Sequence, residues 1–488
     1  MIPMPGRARF RLHPAYEDHD PQNRHPDTIM SQQTSPASSR RTFLKQTAAA
    51  LGTPFAAPMI LAKPVAGANE KLNLAWVGFG NQGWGDLRGC AHGNNVVALC
   101  DCDQNVWKRA KDPFPKAKLY QDFRRMLEEM GDKIDAVGVG TPDHTHFAVA
   151  YMAMSMGKHV FVEKPLVHSL WEARTLQKLA ADKKLVTQMG NQGHAFEGAR
   201  LVKEWYQAGL AGEVKEVITW TDRPKSGWGF NGQVRTEFPE PKPAPKGMDW
   251  NLWLGPVTKE AGFSPAFHPT RWRPWWDFGC GGLGDIGCHT IDTPYWAMDL
   301  GAPDKIEVEM HGEANPIHTP NGSIVTYHFP ARGDKPPVKI KWYEGPSRPE
   351  PPKGYDLGGL HGGGGLIMAG TKGGICHGGM RPDSPQLYPK AKWEEYRSNK
   401  DKQVPKTLPR TRGIHRDWVD AIKTGAMSCS DFSYAAPLTE IILLGTLAIR
   451  TGKGLKWDSE TMKISGNPEA AKLIKVDARK GWDIKDLA

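Results

Sequence analysis

The sequence contains little cysteine, no long hydrophobic run and no block of basic residues. Seven cysteines among 488 residues are too few and too scattered for a disulfide scaffold. No C-x-x-C pair occurs, and neither Cys100-x-Cys102 nor the pair Cys280 and Cys288 has the ligand spacing of a zinc site. We therefore expect neither a disulfide framework nor a bound metal.

No segment approaches the roughly 18 consecutive apolar residues that a membrane-spanning helix needs, so we expect no membrane span. Hydrophobic residues make up 39% of the chain and charged residues 24%, which is typical of a folded globular protein. The length of the chain predicts two or three domains.

The formal net charge of +10 is not accompanied by a basic helix or a run of Lys and Arg. Residues 1–68 carry eight basic and four acidic side chains, so the remaining 420 residues carry 55 against 49. A net charge of +6 spread over that length gives little reason to expect a nucleic-acid partner.

The N-terminal region has the pattern of an export signal. Residues 1–38 are rich in Pro, Arg, His, Gln and Ser, which is typical of disorder. Residues 39–45 then read SRRTFLK and precede an apolar, Ala-rich run over residues 47–62. A twin-arginine pair ahead of such a run resembles a twin-arginine signal, with a small-residue cleavage site at Ala66-Gly67-Ala68. We expect export by the twin-arginine machinery to a periplasmic or other extracytoplasmic location, the alternative being an unspecific basic tail.

A dinucleotide-binding motif follows directly. An apolar strand over residues 72–77 runs into Gly78-Phe79-Gly80-Asn81-Gln82-Gly83, which has the form G-x-G-x-x-G. Such glycines allow a tight turn, close approach of the backbone to a pyrophosphate and close helix packing. A second strand, over residues 95–100, ends at Asp101, where an acid accepts hydrogen bonds from the adenosine ribose. That acid repels a 2′-phosphate, so NAD is favoured over NADP; Asp103 is the alternative acceptor.

Strands and helices continue to alternate, which predicts right-handed βαβ units and a parallel sheet. A helix over residues 120–131 precedes a strand over residues 136–140, and a helix over residues 148–156 precedes a strand over residues 158–162. Ligands of such sheets bind beyond the carboxyl ends of the strands. The predicted cofactor-binding residues are therefore Gly78, Phe79, Gly80, Asn81, Gln82, Gly83, Asp101, Thr141, Pro142, His146, Glu163, Lys164 and Pro165.

The motifs GFGNQG, TPDHTH and GKHVFVEKP together resemble the Gfo/Idh/MocA oxidoreductases, relatives of glucose–fructose oxidoreductase and inositol dehydrogenase. The resemblance covers about residues 70–300 by motif and the rest by layout. It implies an α/β protein: an N-terminal Rossmann domain with a doubly wound parallel sheet, and a C-terminal α+β domain with an open, mostly antiparallel sheet that serves as a homo-oligomer face. The predicted boundaries are residues 1–68 for the disordered N-terminus and signal, 69–190 for the Rossmann domain, 191–455 for the second domain and 456–488 for a C-terminal tail.

The second domain contains an acid and a base in DFGCGGLGDIGCHTIDTPYW. A helix starting near Gly284 places Asp285 and His289 one turn apart on one face. Together with Lys164 they supply a carboxylate, an imidazole and an ammonium, a set that suits alcohol oxidation. The resemblance implies that His289 is the base, that Lys164 orients the oxygen or relays a proton and that Asp285 positions them. The alternative is a histidine that is merely satisfied by Asp285.

Other features are less specific. Asp292 and Tyr295, one turn further on, are weaker candidates for substrate contact. The glycine-rich residues 357–374 lack the register of a phosphate loop and predict hairpin turns, and residues 377–380 predict a turn near the pocket. An aromatic loop supplies either sugar platforms or ordinary packing. Its tryptophans are Trp228, Trp250, Trp253, Trp272, Trp275 and Trp276.

These observations predict an exported NAD(P)-dependent oxidoreductase that acts on a hydroxyl of a sugar, polyol or glycoside. One alternative is a glycosidase-type enzyme that keeps NAD bound and works by oxidation, elimination and re-reduction. The other is a carbohydrate-binding protein on a scaffold that has lost its activity.

Overall fold

The computed structural model describes residues 71–223, 233–360 and 363–487. The predicted twin-arginine signal, its cleavage site and Trp228 lie outside these residues. The described chain is organised around two β-sheets, one before and one after residue 200.

The first sheet has six strands, all paired in parallel, in the order β3-β2-β1-β4-β5-β6. This is the doubly wound Rossmann order, so that prediction is confirmed. The strand order reverses between β1 and β4, which leaves a crevice there. The strands are β1 (Asn73–Val77), β2 (Asn95–Cys100), β3 (Lys118–Tyr120), β4 (Ala136–Val139), β5 (His159–Val162) and β6 (Thr187–Met189).

Four α-helices connect these strands, and two of them begin elsewhere than the sequence predicted. They are α1 (Gln82–Ala91), α2 (Phe123–Met130), α3 (Asp143–Ser155) and α4 (Leu170–Lys183). Helix α3 begins five residues before the predicted residue 148, because Pro142 precedes its first turn and Asp143 complements the helix dipole there. Helix α2 begins later than predicted, since residues 118–120 pair with β2 as a strand and Asp122 caps the helix.

The second sheet has nine strands in the order β13-β12-β11-β7-β10-β9-β8-β14-β15. Every pair of neighbours is antiparallel except β7 and β10, so the prediction of an open, mostly antiparallel sheet is confirmed. Residues 365–374 of the glycine-rich segment lie in the β11–β12 hairpin, as predicted. The strands are β7 (Val214–Trp220), β8 (Lys305–His311), β9 (Gly322–Phe329), β10 (Val338–Glu344), β11 (Gly365–Gly370), β12 (Gly373–Gly378), β13 (Gln386–Tyr388), β14 (Leu455–Asp458) and β15 (Lys463–Ser465).

The remaining helices flank both sheets. They are α5 (Glu197–Gln207), α6 (Trp250–Leu254), α7 (Cys288–Thr290), α8 (Asp292–Met298), α9 (Lys390–Ser398), α10 (Ile414–Thr424), α11 (Phe432–Thr451), α12 (Pro468–Ala471) and α13 (Ile484–Leu487). Short 3₁₀ turns cover Gln104–Ala110, Gly131–Lys133, Gln192–Ala195 and Lys400–Lys402. The segment predicted as a C-terminal tail contributes β14 and β15 to the edge of the second sheet.

Helix α11 lies between the two halves of the molecule. It contacts α4 and β6 of the first half and β8 and β9 of the second. By length and composition alone it is the one helix of the described residues that could cross a membrane, but 83% of its apolar window is buried inside the protein. We interpret α11 as a core helix, because burial on nearly every face explains an apolar composition without any lipid.

The exposed positions of the second sheet are charged. On β8, Glu307 pairs with Lys305 and with His328 of β9, and Lys341 of β10 pairs with Glu216 of β7. These pairs are exposed or partly exposed, so each contributes little stability. The homo-oligomer expected at this sheet stays a prediction.

Candidate active site

A cavity of about 540 Å³ opens at the carboxyl ends of the first sheet. One wall is formed by the turns that follow β1, β2, β4 and β5. The other wall comes from segments far along the chain, which contribute Trp253, Arg273, His289 and Arg381. The crevice of the parallel sheet is therefore closed by the second half of the molecule.

The glycine turn after β1 has the shape of a phosphate cradle. Gly78 has a φ of +76°, and a Cβ there would lie 2.7 Å from the Thr141 backbone nitrogen. A Cβ at Gly83 would lie 2.1 Å from the Gly78 carbonyl oxygen, whereas a Cβ at Gly80 would meet no atom within 4 Å. The fold thus requires Gly78 and Gly83, while the space at Gly80 is open for a group that approaches the backbone closely, as a pyrophosphate does.

Asp101 is the better placed of the two candidate ribose acceptors. Its two carboxylate oxygens accept hydrogen bonds from the backbone nitrogens of Phe79, at 3.2 Å, and Asp103, at 3.0 Å. Burial raises the pKa of Asp101 to about 6. The Asp103 carboxylate instead accepts from the backbone and side chain of Asn105 and lies 3.4 Å from His268. Both acids line the cavity, but Asp103 is already occupied by its own capping contacts.

Lys164 and Asp285 meet across the cavity although they are 121 positions apart. The Lys164 ammonium donates to the carboxylate and to the backbone carbonyl of Asp285, each at 2.9 Å. Arg273 Nε donates to the same carboxylate oxygen at 3.1 Å. Burial alone would lower the pKa of Lys164, but the Asp285 and Glu163 carboxylates outweigh it and the pKa is raised. Lys164 is therefore charged at neutral pH.

His289 lines the same cavity and is 2% exposed. Its Nδ1 is buried without a hydrogen-bond partner among the residues that the structure describes. Burial lowers its pKa well below the usual value, and the charges of Lys164 and Arg381 lower it further. The imidazole is therefore neutral at neutral pH, which is the form that accepts a proton.

Asp285 and His289 lie in one continuous helical segment, residues 281–290, as predicted, but only part of that segment is α-helical. Asp285 lies in a π-helical turn, Leu283–Gly287, and His289 lies in the short helix α7 that follows. Gly284 packs so closely that a Cβ there would lie 2.3 Å from the Cys280 Cβ. Two glycines in one turn favour helix formation poorly and let the backbone widen. The wide turn still brings both side chains to the cavity.

Eleven of the predicted site residues line the cavity, and four others lie behind it. Those on the wall are Gly78, Gly80, Asn81, Gln82, Asp101, Thr141, Pro142, Glu163, Lys164, Asp285 and His289. Those behind it are Phe79, Gly83, His146 and Pro165. The His146 ring has the carbonyl oxygens of Pro165 and Thr141 at 2.8 Å from its two nitrogens, and burial lowers its pKa to about 4. His146 thus holds two strand-end turns together.

Sequence reasoning missed several polar residues of the cavity. Gln192 donates to Glu163 Oε1 at 2.9 Å, and Arg381 donates to Gln192 Oε1 at 3.1 Å. Asp143 accepts from the Cys280 backbone nitrogen, and burial raises its pKa to about 7. Gln192 follows β6, so the rule that located the other strand-end turns could also have found it. Arg273 and Arg381 lie in irregular loops and carry no local signal.

The weaker substrate candidates lie away from the cavity. Asp292 is buried and bonded to His194, Asn191 and Tyr434, each within 2.9 Å. Tyr295 is not among the cavity-lining residues either.

The aromatic loop serves mainly as a small core of its own. Trp250 and Trp253 stack with ring centroids 4.3 Å apart, and Trp275 and Trp276 are buried. Trp253 and Trp272 also reach the cavity wall. Among residues 71–223, 233–360 and 363–487, no cluster of three or more His, Cys, Asp or Glu side chains could hold a metal ion, and all seven cysteines are free.

Two family profiles match the chain, and together they cover about half of it. Residues 72–191 match the NAD-binding Rossmann domain of the oxidoreductase family GFO_IDH_MocA. Residues 199–327 match the C-terminal alpha/beta domain of the same family. The boundary between the two matches falls between β6 and α5.

Similar proteins include an uncharacterized oxidoreductase of Schizosaccharomyces pombe, 25% identical over 284 residues, which are 57% of this chain and 61% of that protein. A glycosyl hydrolase family 109 protein of Phocaeicola vulgatus is 34% identical over 122 residues, 23% of each chain. The chain thus spans about three fifths of the first relative and under a quarter of the second.

Solved structures with 15–16% identity share the fold. The WlbA dehydrogenase of Bordetella pertussis, in complex with NADH and UDP-GlcNAcA, has a TM-score of 0.54 and covers 80% of this chain and 98% of its own. A levoglucosan dehydrogenase in complex with NADH and levoglucosan has a TM-score of 0.53 and covers 79% and 99%.

Proposed function

Because the chain belongs to the Gfo/Idh/MocA oxidoreductase family and carries its NAD-binding Rossmann domain, we propose that it oxidises a CH–OH group of a sugar, a polyol or a glycoside. One observation carries the proposal. Lys164, Asp285 and His289 line the same cavity as the glycine turn after β1. Similar structures solved with NADH and a sugar or sugar nucleotide support this substrate class.

Different residues of the cavity bind the cofactor, take the hydroxyl proton and stabilise the charge on the oxygen. Gly78–Gly83 and Asp101 would hold NAD, which would supply the hydride acceptor for the carbinol carbon. His289 takes the hydroxyl proton, so that the C–O single bond becomes C=O as hydride and proton leave. The Lys164 ammonium lines the same cavity and stabilises the negative charge that develops on the oxygen.

Asp285 acts as the positioning residue. It accepts hydrogen bonds from both Lys164 and Arg273, so two cations are held by one carboxylate. Without it, the two positive charges would repel each other in a half-buried place. The neutral His289 beside a charged Lys164 is the protonation pattern that proton abstraction requires.

A second candidate function is glycoside cleavage with NAD retained. The family 109 glycosyl hydrolase relative favours it, at 34% identity over 122 residues. In that reaction the sugar hydroxyl is oxidised, the glycosidic substituent is eliminated, water adds and the sugar is reduced again. The same base and ammonium would serve each of these steps, so the site geometry suits both candidates. A non-catalytic carbohydrate-binding protein is the third candidate, and an intact set of ammonium, carboxylate and imidazole argues against it.

The experiment that separates them follows nicotinamide fluorescence in the purified protein with a panel of sugars, polyols and glycosides. NADH that accumulates in proportion to added NAD supports the dehydrogenase. Release of the aglycone without net NADH supports the glycosidase. Sugar binding without any redox change, or full turnover in Lys164→Ala and His289→Ala, contradicts the proposal. Lys178→Ala, on the exposed face of α4, is the control variant.

We also propose that residues 1–68 direct export by the twin-arginine route. Free NAD is scarce outside the cytoplasm, so an exported enzyme of this kind benefits from a cofactor acquired before export. Residues 1–68 fused to a folded reporter test this proposal. We expect export of the fusion and its loss in the double variant Arg40→Lys, Arg41→Lys; export that survives that change contradicts it.

A further inference from the structure

Four arginines line the cavity. Arg109 donates to the Phe79 and Gly80 carbonyl oxygens at the glycine turn, and the other three, Arg223, Arg273 and Arg381, differ in their partners. Arg273 donates to the Asp285 carboxylate at 3.1 Å, and Arg223 lies 3.2 Å from the Asp222 carboxylate. Within the described residues Arg381 forms no ion pair. Its Nη2 donates to the neutral amide of Gln192 at 3.1 Å, and its buried Nε finds no acceptor among those residues.

The side chain that Arg381 contacts, Gln192, supplies a neutral amide oxygen and no negative charge. Gln192 Nε2 donates to Glu163 Oε1 at 2.9 Å, so the amide oxygen is the atom that faces Arg381. Glu163 lies one side chain further from Arg381 in this chain of contacts, and burial raises the pKa of its carboxyl group well above the usual value. The guanidinium is thus a cation without a compensating anion in a half-buried place, an arrangement that is costly unless a ligand supplies the anion.

The loop that carries Arg381 is held firmly. A Cβ at Gly198 of α5 would lie 1.6 Å from the Pro382 carbonyl oxygen, and a Cβ at Gly193 would lie 3.4 Å from the Arg381 Cβ. The close approach of two backbones fixes the loop before any ligand arrives, so little ordering entropy is lost on binding. Both Arg381 and His289 line the cavity, and the charge of Arg381 is near enough to lower the pKa of His289.

We propose that the substrate is an acidic sugar, a uronate, whose carboxylate pairs with Arg381. A guanidinium binds a carboxylate through two parallel N–H donors, which sets the orientation of the sugar as well as its affinity. Among Arg223, Arg273 and Arg381, only Arg381 forms no ion pair within the described residues, and one guanidinium matches the single charge of a carboxylate. This inference rests on the proposed function and assigns its substrate class.

The test compares matched pairs of hexuronates and hexoses, with the hexose 6-phosphates as a third arm. Full-length protein loaded with NAD is titrated with each by calorimetry, and turnover is followed by NADH fluorescence. We expect at least one hexuronate to bind ~10-fold or more tightly than its hexose, because a charged hydrogen bond contributes about that much to binding affinity. Arg381→Gln should bring that ratio near one, and Arg381→Lys should restore part of it. Arg397→Gln, on exposed α9, is the matched control.

Several results would overturn the inference. These are no hexuronate binding, equal or tighter binding of the hexose, preference for the 6-phosphate, or an Arg381→Gln variant that weakens both members of a pair equally. Uronate binding that depends on Arg381 without any nicotinamide reduction supports the carboxylate site but contradicts the proposed oxidation. Turnover of neutral sugars alone supports the oxidation and contradicts the carboxylate site.

Discussion

The two walls of the cavity are built in different ways. The cofactor wall is mostly backbone, contributed by turns that follow neighbouring strands of one sheet, and its main contacts involve Gly78, Gly80 and Asp101. The substrate wall is made of charged and polar side chains that are distant in sequence, such as Arg381 and Gln192, 189 positions apart. A backbone wall depends on the absence of Cβ atoms, whereas a side-chain wall depends on the pairing of charges. Substitutions should therefore damage the two walls in separable ways.

The largest effect is expected from His289→Asn. Loss of the base should lower turnover by roughly 10²–10⁴-fold, the usual contribution of general acid–base catalysis. NAD affinity, measured by calorimetry, should stay unchanged, because His289 lies on the substrate wall. His92→Asn, at an exposed position after α1, is the control. Turnover within twofold of the unaltered protein would remove His289 from the mechanism.

Two glycine variants test the cofactor wall, one through its packing and the other through the space left for the cofactor. Gly83→Ala forces a Cβ to within 2.1 Å of the Gly78 carbonyl, so we expect a loss of ~1–3 kcal/mol in the free energy of unfolding together with weaker NAD binding. Gly80→Ala meets no protein atom within 4 Å, so stability should change by less than ~0.5 kcal/mol while NAD affinity still falls. Denaturant unfolding and NAD titration measure both quantities. Unchanged NAD binding in Gly80→Ala would show that the cofactor does not approach this turn.

A smaller effect is expected from the titration of the Asp101 carboxyl group on the cofactor wall. Asp101 has a pKa of about 6 because of burial, and its carboxylate is the form that accepts a ribose hydroxyl. Affinity for NAD should therefore be full above that pKa and fall as the pH drops through it, by ~10-fold at one unit below. Asp101→Asn should bind NAD more weakly and lose this pH dependence. NAD affinity that is flat from pH 7.5 to pH 5 would contradict the assignment.

The smallest effect is expected where the two walls touch. Gln192→Met removes the amide between Glu163 and Arg381, so the arginine keeps its charge but loses its alignment. We expect KM for the best substrate to rise by ~3–10-fold, the worth of one hydrogen bond, with NAD affinity unchanged. Gln207→Met, exposed at the end of α5, controls for the side-chain change. A change in NAD affinity of equal size would place Gln192 on the cofactor wall instead.

The contrast between the backbone-built cofactor wall and the side-chain-built substrate wall explains which site residues the sequence could predict. The glycine turn and Asp101 were recognisable because the motif is contiguous and each residue serves a backbone need next to it. Arg273 and Arg381 were missed because their role arises only when distant loops meet. The shared helix predicted for Asp285 and His289 is present, but the sequence pattern did not indicate the π-helical turn that widens the backbone there. His146 was assigned to the cofactor by its position after β4, but its ring is used to join two turns.

Helix α11 sets a limit on how this protein can be divided. It belongs to the last quarter of the chain, yet Phe432 N donates to Thr187 Oγ1 and Leu166 N donates to Thr439 Oγ1, both within the first half. Residues 71–190 made alone would leave the surface under α11 uncovered. The cofactor-binding half is therefore not an interchangeable module, and a chimera that exchanges it needs to carry α11 along. The sheet order suggests two parts, but α11 joins them through one shared core.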